Sequence, residues 1–194
     1  TSSREAETIA EALTKFISST EGVSERIEAA HGVRLASQFI DDPSTRFGVL
    51  KKLLMSKEFQ EIRLEKIGGF IFTDAVESLL FIDSQSERSE GLRMLDLIAP
   101  SYLPDFSQGE RQVLSERLFE MKEAFPTGEI QKRLSRMALD IAPQESLIRS
   151  NIEEVLLSEA ESMSYEDLKE IFDSGLGERD FRRSLKSLLV KSAA

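Results

Sequence analysis

The chain has 194 residues, of which 40% are hydrophobic, so it can bury a core without disulfides or metal ions. Its formal net charge of −10 repels phosphate backbones and anionic headgroups, which disfavours nucleic acid and membranes as partners. Because it has no cysteine, it forms no disulfide and no cysteine-ligated metal site. The longest apolar stretches, 68–72 and 79–82, are far shorter than the roughly 20 residues that cross a bilayer, so no transmembrane segment is predicted.

The chain begins at Thr1, without an initiator Met or an apolar signal core. This beginning indicates either a processed end or a fragment boundary. A cytoplasmic location is the expectation, while export and the removal of a targeting segment both stay open. The sequence does not determine the oligomeric state.

Start signals and apolar stripes with a period of 3.6 residues predict helices throughout the first half. Ser2 with Glu5 has the pattern of a capping box. A second helix is predicted over residues 24–40, with Gly32 as a kink or break, and Asp42 with Pro43 predicts the start of a third. The inward positions predicted for these helices are Ala6, Ile9, Ala10, Leu13, Phe16 and Ile17, then Ile27, Ala30, Leu35 and Phe39, then Phe47, Leu50, Leu53 and Leu54.

Residues 57–82 have a helical pattern that Gly68-Gly69 interrupts. Each glycine inside a helix costs roughly 1 kcal/mol relative to alanine, so two helices are expected to meet at this pair. The second of them is apolar nearly all round, which predicts a central helix contacted from several sides. Its apolar residues are Phe70, Ile71, Phe72, Val76, Leu79, Leu80 and Phe81.

The second half is predicted to consist of helices joined by short Pro, Gly and Ser turns, which pack antiparallel. The expected helices are one capped by Ser84 with Glu87 and ending at Pro100; one capped by Ser107 with Glu110 and ending before Pro126; one after Thr127 that ends at Pro143; residues 144–160 and 165–173; and a last one after Gly175-Leu176-Gly177. Their predicted inward residues include Leu114, Leu118, Met121 and Phe125, then Ile130, Leu134, Met137, Ala138 and Ile141, then Phe181, Leu185, Leu188 and Leu189.

The predicted fold class is therefore all-α, an antiparallel multi-helix array of about 9–11 helices. Residues 1–194 are expected to form a single helical domain. A sub-division into an N-terminal bundle, 1–82, and a helical-array half, 83–194, is the alternative.

The sequence contains one approximate internal repeat: residues 93–100 (RMLDLIAP) recur as 136–143 (RMALDIAP) at an offset of 43. The spacing resembles the helix-pair period of HEAT and armadillo repeats, about 40 to 47 residues. The resemblance covers about residues 84–160 and implies a right-handed superhelix of stacked helix pairs. It transfers no functional residues. The alternative is that Ile-Ala-Pro ends two unrelated helices.

Residue types that carry catalysis or bind metals are sparse. His31 is the only histidine, and although Glu28 and His31 match one element of a di-iron bundle, the second histidine that such a site needs is absent. The pair Asp41-Asp42 is interpreted as helix capping. Gly175-Leu176-Gly177 is interpreted as a turn, because no strand precedes it. No catalytic residue, metal site or cofactor is predicted.

Charge is distributed unevenly along the second half. Residues 144–173 contain nine acidic and two basic side chains, which indicates either a surface for a basic partner or a solvated helix face. The last helix is basic; docking on its own domain against the acidic segment is favoured over a membrane surface or a partner's groove. The candidate partner-binding residues are Glu153, Glu154, Glu161, Arg182, Arg183 and Lys186.

These features predict a non-catalytic protein–protein interaction module, an adaptor, scaffold or regulator that presents helical faces to another protein. The alternative is a helical enzyme or ligand-binding bundle with a site of carboxylate and Arg side chains. A deep cleft lined by buried acidic or Arg residues would favour the enzyme, whereas an exposed apolar patch would favour the interaction module.

Overall fold

The structure, a computed structural model, describes residues 2–62, 67–102, 104, 106–122, 125, 129–173, 177 and 179–192. Within these ranges the chain forms eleven helices and no strand, which confirms the predicted all-α class and helix number. None of the helices described is long and apolar enough to cross a membrane. The helices group into two compact units, an N-terminal unit over Thr1–Ser107 and a C-terminal unit over Gln108–Ala194.

Six helices belong to the N-terminal unit. Helices α1 and α2 form an antiparallel hairpin, and α3 packs on both of them. Helix α5 contacts α2, α3 and α6, as expected for a central helix. The helices are α1 (Ser3–Ser19), α2 (Val23–Ser37), α3 (Pro43–Leu54), α4 (Lys57–Gln60), α5 (Ile67–Leu80) and α6 (Gln85–Tyr102).

The predicted helix starts at Ser2 and Asp42 are confirmed. The Glu5 amide donates to Ser2 Oγ at 3.3 Å and the Ser2 amide donates to Glu5 Oε2 at 2.8 Å, which completes the capping box. At α3, the hydroxyl and the amide of Thr45 donate to Asp42 Oδ2 at 2.6 and 2.8 Å. These hydrogen bonds favour the ionised carboxylate and lower the pKa of Asp42.

The glycines predicted to interrupt helices lie inside continuous ones instead. Helix α2 runs through Gly32 without the break that the sequence allowed. Two helices, α4 and α5, occupy this stretch as predicted, but α5 already begins at Ile67, so Gly68-Gly69 lie in its first turn and not at the junction. A Cβ atom at Gly68 would lie 2.9 Å from Tyr102 Cδ1, and one at Gly69 would lie 2.5 Å from the Phe106 ring. These glycines therefore allow aromatic rings to approach the α5 backbone closely.

Helix α6 continues two residues past Pro100, where the prediction ended it. Proline in a last turn removes few helical hydrogen bonds, and the helix end is held by a tertiary contact. The Tyr102 hydroxyl donates to the Leu54 carbonyl at 2.5 Å in a buried position. Because α6 packs on α5, the division of the chain falls after Ser107, whereas the sub-division considered from the sequence fell after Ile82.

The C-terminal unit contains five helices. Arg111 Nε in the first helix, α7, donates to the Ile141 carbonyl of the next, α8, at 2.9 Å, and Ser115 Oγ, one turn later in α7, donates to the Ala138 carbonyl, one turn earlier in α8, at 2.7 Å. These two helices are therefore antiparallel. The following helix, α9, packs on both, and α11 packs on α9 and α10. The predicted start at Thr127 and stop at Pro126 lie outside the described residues. The helices are α7 (Gln108–Met121), α8 (Glu129–Ile141), α9 (Leu147–Ala160), α10 (Tyr165–Asp173) and α11 (Arg179–Ser192).

The two copies of the approximate repeat, residues 93–100 and 136–143, lie at the C-terminal ends of α6 and α8, one in each unit. Their matched side chains have different surroundings. Met94 and Ile98 are half-buried, whereas the equivalent Met137 and Ile141 are buried. The HEAT-like repeat stays a prediction.

Candidate functional site

Of the predicted partner-binding acids, Glu153 lies inside the C-terminal unit. Its residue is only 9% exposed, and its Oε1 lies 3.4 Å from Arg149 Nε one turn earlier in α9. Glu154 and Glu161, by contrast, are exposed. Glu159 also forms an ion pair within this unit, since its Oε1 lies 2.9 Å from Nζ of the buried Lys122. The acidic segment is thus partly used for packing.

Arg149 has a structural role at the end of α8. Its Nη1 atom donates to the carbonyls of Leu139 and Ala142 at 3.2 and 3.1 Å, and Arg111 Nε donates to the Ile141 carbonyl at 2.9 Å. A helix C-terminus presents unpaired carbonyls and partial negative charge, which guanidinium groups neutralise. This cluster of buried charge therefore joins α7, α8 and α9.

The predicted basic residues, in contrast, all lie on the surface of α11. Phe181 and Leu185 are buried, so α11 docks on its own unit as the sequence favoured. Arg182, Arg183 and Lys186 are exposed, and Arg179 lies on the same outer side of the helix. We call these four side chains, with the exposed Val190, the basic face of α11.

A second surface, which sequence analysis assigned to the core, lies on α1 and α2. Ile9 and Phe16 on α1 are 46% and 45% exposed, and Leu35 and Phe39 on α2 are 60% and 57% exposed. The prediction that these four side chains point inward is therefore wrong. The residues that are buried between α1, α2 and their neighbours are mostly small, including Ala6, Ala10, Ala29, Ala30, Val33 and Ala36.

The register of the hairpin places the four exposed side chains along one line. A Cβ atom at Gly32 would lie 2.7 Å from Leu13 Cδ1, and the Asp41 amide donates to Ser3 Oγ at 3.0 Å. On an α-helix, residues three and four apart share a face. Ile9 and Phe16 therefore flank Leu13 on α1, and Leu35 and Phe39 share the face of Gly32 on α2, against which Leu13 lies. We call Ile9, Leu13, Phe16, Leu35 and Phe39 the α1–α2 strip.

Two carboxylates lie at the ends of the α1–α2 strip. Glu5 is one turn before Ile9 on α1, and Glu28 is one turn before Gly32 on α2. Because the helices are antiparallel, these acids are at opposite ends, and both are exposed. An open recess of about 510 Å³, lined by Ser2, Arg4, Glu5, Thr8 and Ile9, adjoins the Ile9 end.

The exposed aromatic ring of Phe70, which the sequence counted among the apolar residues of the central helix, has a different environment. The Arg34 guanidinium lies 4.7 Å from the centre of the ring and donates through Nε to Asp74 Oδ2 at 2.7 Å. This cation–π and ion-pair arrangement ties α2 to α5. Phe81, which the sequence counted among the apolar residues of the central helix, lies just past the end of α5 and is 72% exposed.

His31, the single histidine of the sequence, is exposed on α2. In the ranges that the structure describes, no three His, Asp or Glu side chains are grouped so as to hold a metal ion. The polar clusters described above, around Arg149, Lys122 and Arg34, connect helices within one unit.

No protein-family model, curated protein or solved structure matches this chain. The assignment of function therefore depends on the two surfaces themselves, the α1–α2 strip and the basic face of α11.

Proposed function

We propose that this protein is a non-catalytic protein–protein interaction module that binds a short amphipathic helix of a partner on the α1–α2 strip. The observation that carries the proposal is the exposure of four large apolar side chains along one helix hairpin. Burial of such side chains against a partner removes apolar surface from water, which is the main driving force of association. Helix-in-groove recognition uses anchors of this kind at helical spacing.

The size of the strip favours a helix over a second copy of the chain. With roughly 200 Å² for each large side chain, about half of it exposed, the four residues present about 400 Å² of apolar surface. A stable dimer buries about 800 Å² on each partner. Because Leu13 lies against Gly32 in this antiparallel hairpin, Phe16 lies opposite Ala29. Ala29 and Phe39 are ten residues apart on α2, or about 15 Å, which corresponds to about three turns of a bound helix.

The charges at the ends of the strip define the polar flanks of the partner. Glu5 and Glu28 put a carboxylate at each end, and these two acids outnumber Arg4, which lines the recess beside Glu5. Lysine or arginine beside the apolar face of the bound helix is therefore complementary to the excess negative charge. Rim charges of this kind change association rate and salt dependence more than they change affinity. The partner helix is accordingly amphipathic and basic.

The test uses a designed 14-residue helical peptide with leucines at positions i, i+4, i+7 and i+11 and lysines on its flanks. We expect saturable binding in fluorescence anisotropy with a Kd in the micromolar range. The substitutions Leu35→Glu and Phe39→Glu together should weaken binding at least tenfold, while a peptide with glutamate flanks should bind more weakly than the lysine version.

The matched control exchanges one Leu and one Phe that are also exposed in the N-terminal unit, Leu97→Glu with Phe81→Glu. Both double variants should keep the free energy of unfolding of the parent within about 0.5 kcal/mol per substitution, because the replaced side chains are exposed. Equal loss of peptide binding in the two double variants, or no saturable binding by the parent chain, would refute the proposal.

A further inference from the structure

The basic face of α11 concentrates positive charge on a protein whose net charge is −10. Arg179, Arg182, Arg183 and Lys186 occupy positions i, i+3, i+4 and i+7, which share one face of a helix. All four are exposed, and they lie opposite the buried Phe181. Folding therefore does not use these cations in the core.

Within the described part of the C-terminal unit, one carboxylate forms an ion pair with these cations. Among the residues that the structure describes, Asp180 pairs with Arg183, at 3.3 Å between Oδ1 and Nη1, and both side chains are mostly exposed. The Arg182 guanidinium lies 5.5 Å from the centre of the Phe172 ring, which holds that group over α10. A guanidinium is well suited to bidentate contact with a carboxylate.

We propose that the basic face of α11 is a second docking site, which binds an acidic helical segment of a partner protein. From Arg179 to Lys186 its four cations extend over seven helical steps, or about 10.5 Å. Carboxylates at i, i+3 or i+4, and i+7 of a partner helix repeat with the same spacing and so match them. This site lies in the C-terminal unit and does not depend on the α1–α2 strip.

The composition of the face favours a protein over other anionic partners. Val190 is its one apolar member, and Phe181 and Leu185 are buried, so the face lacks the apolar residues that insert an amphipathic helix into a bilayer. The net charge of the whole chain repels a nucleic-acid backbone at long range. A short acidic helix carries fewer negative charges and is therefore repelled less.

The probe is a fluorescein-labelled 14-residue alanine-based peptide with glutamates at i, i+3, i+4 and i+7, titrated with the full chain. A peptide of the same composition with glutamates spread around the helix is the sequence control. We expect saturable 1:1 binding that weakens between 50 and 200 mM salt and that is at least threefold tighter for the one-faced peptide.

The variant Arg182→Gln, Arg183→Gln and Lys186→Gln should lose at least tenfold in affinity. The control variant Arg4→Gln, Lys15→Gln and Arg93→Gln removes the same number of positive charges from exposed positions of the N-terminal unit and should lose less than twofold. The unfolding midpoint of each variant is measured first. Arg182→Lys with Arg183→Lys keeps the charge and should retain binding within about fivefold.

Three results would overturn this second proposal: no saturable binding of the acidic peptide, equal losses in the two triple variants, or tighter binding of anionic vesicles or duplex DNA through the same residues. The two proposals are separable, because Leu35→Glu with Phe39→Glu should leave acidic-peptide binding unchanged. Conversely, the α11 triple variant should still bind the lysine-flanked peptide.

Discussion

Leu79 on α5 lies directly against the backbone of Gly91 on α6, since a Cβ atom at Gly91 would lie 2.4 Å from Leu79 Cδ1 and 3.0 Å from Phe47 Cζ. Leu79 and Phe47 are buried, so a methyl group at Gly91 would force packed side chains to shift. Overpacking of this kind costs about 1–3 kcal/mol. It outweighs the gain in helix propensity of up to about 1 kcal/mol. We expect Gly91→Ala to lower the free energy of unfolding in urea denaturation.

The matched control for this substitution is Gly48→Ala in α3. Gly48 also lies within a helix, but nothing lies within 4 Å of a Cβ atom placed on it. The same exchange should therefore raise the free energy of unfolding by up to about 1 kcal/mol. Stabilisation by both substitutions would show that α5 and α6 are less tightly packed than described.

Arg149 should be among the most important polar residues for stability in the C-terminal unit. Arg149→Met removes its hydrogen bonds to two α8 carbonyls and takes the cation away from the buried Glu153. Removal of one partner of a buried ion pair costs about 3–5 kcal/mol. We expect a loss of about 3 kcal/mol in the free energy of unfolding, measured by denaturant titration.

A double-mutant cycle separates the two roles of Arg149. If the ion pair carries much of the loss, Arg149→Met with Glu153→Met should be less destabilised than the sum of the single variants. Additive effects would instead assign the loss to the α8 carbonyl contacts.

Tyr102 links the end of α6 to the end of α3. Tyr102→Phe removes the hydroxyl that donates to the Leu54 carbonyl but keeps the ring near Phe59 and Phe72. Loss of one buried hydrogen bond should cost about 1–2 kcal/mol. Tyr102→Ala also leaves a cavity and should cost about 3–5 kcal/mol. Equal stabilities of the parent and the Phe variant, measured by thermal unfolding, would contradict this role.

Stability should fall in acid partly through Glu11 and Asp42. Hydrogen bonding and charge from Lys52 lower the pKa of Glu11, and hydrogen bonds from Thr45 lower the pKa of Asp42. Because the folded pKa lies below the unfolded one, the contribution is present above the unfolded pKa and is lost as pH falls through the folded pKa.

The measurement is the thermal unfolding midpoint between pH 7 and pH 2.5. Glu11→Gln should flatten the decline, and Lys52→Gln should flatten it in the same way because it removes the group that lowers the pKa of Glu11. An unchanged acid profile in both variants would show that the Lys52–Glu11 pair does not contribute to the pH dependence.

Helix starts and helical periodicity could be predicted because they depend on neighbouring residues. The capping box at Ser2 and Glu5, the cap at Asp42 and the helix Tyr165–Asp173 all follow from hydrogen bonds or stripes within a few residues. A local pattern does not show which residues of other helices pack against that segment. Glycine in α2 and α5 therefore resembled a break, although it allows Leu13, Tyr102 and Phe106 to approach the helix backbones.

The sequence by itself determined that this chain is all helical, that its charge is uneven, and that its last helix is amphipathic and basic. Only the tertiary structure decided which edge of each apolar face is covered. In the folded protein Ile9, Phe16, Leu35 and Phe39 are exposed, whereas Glu153 is buried beside Arg149. The physical reason is that periodicity is set by the geometry of one helix, whereas burial is set by which other helices lie beside it.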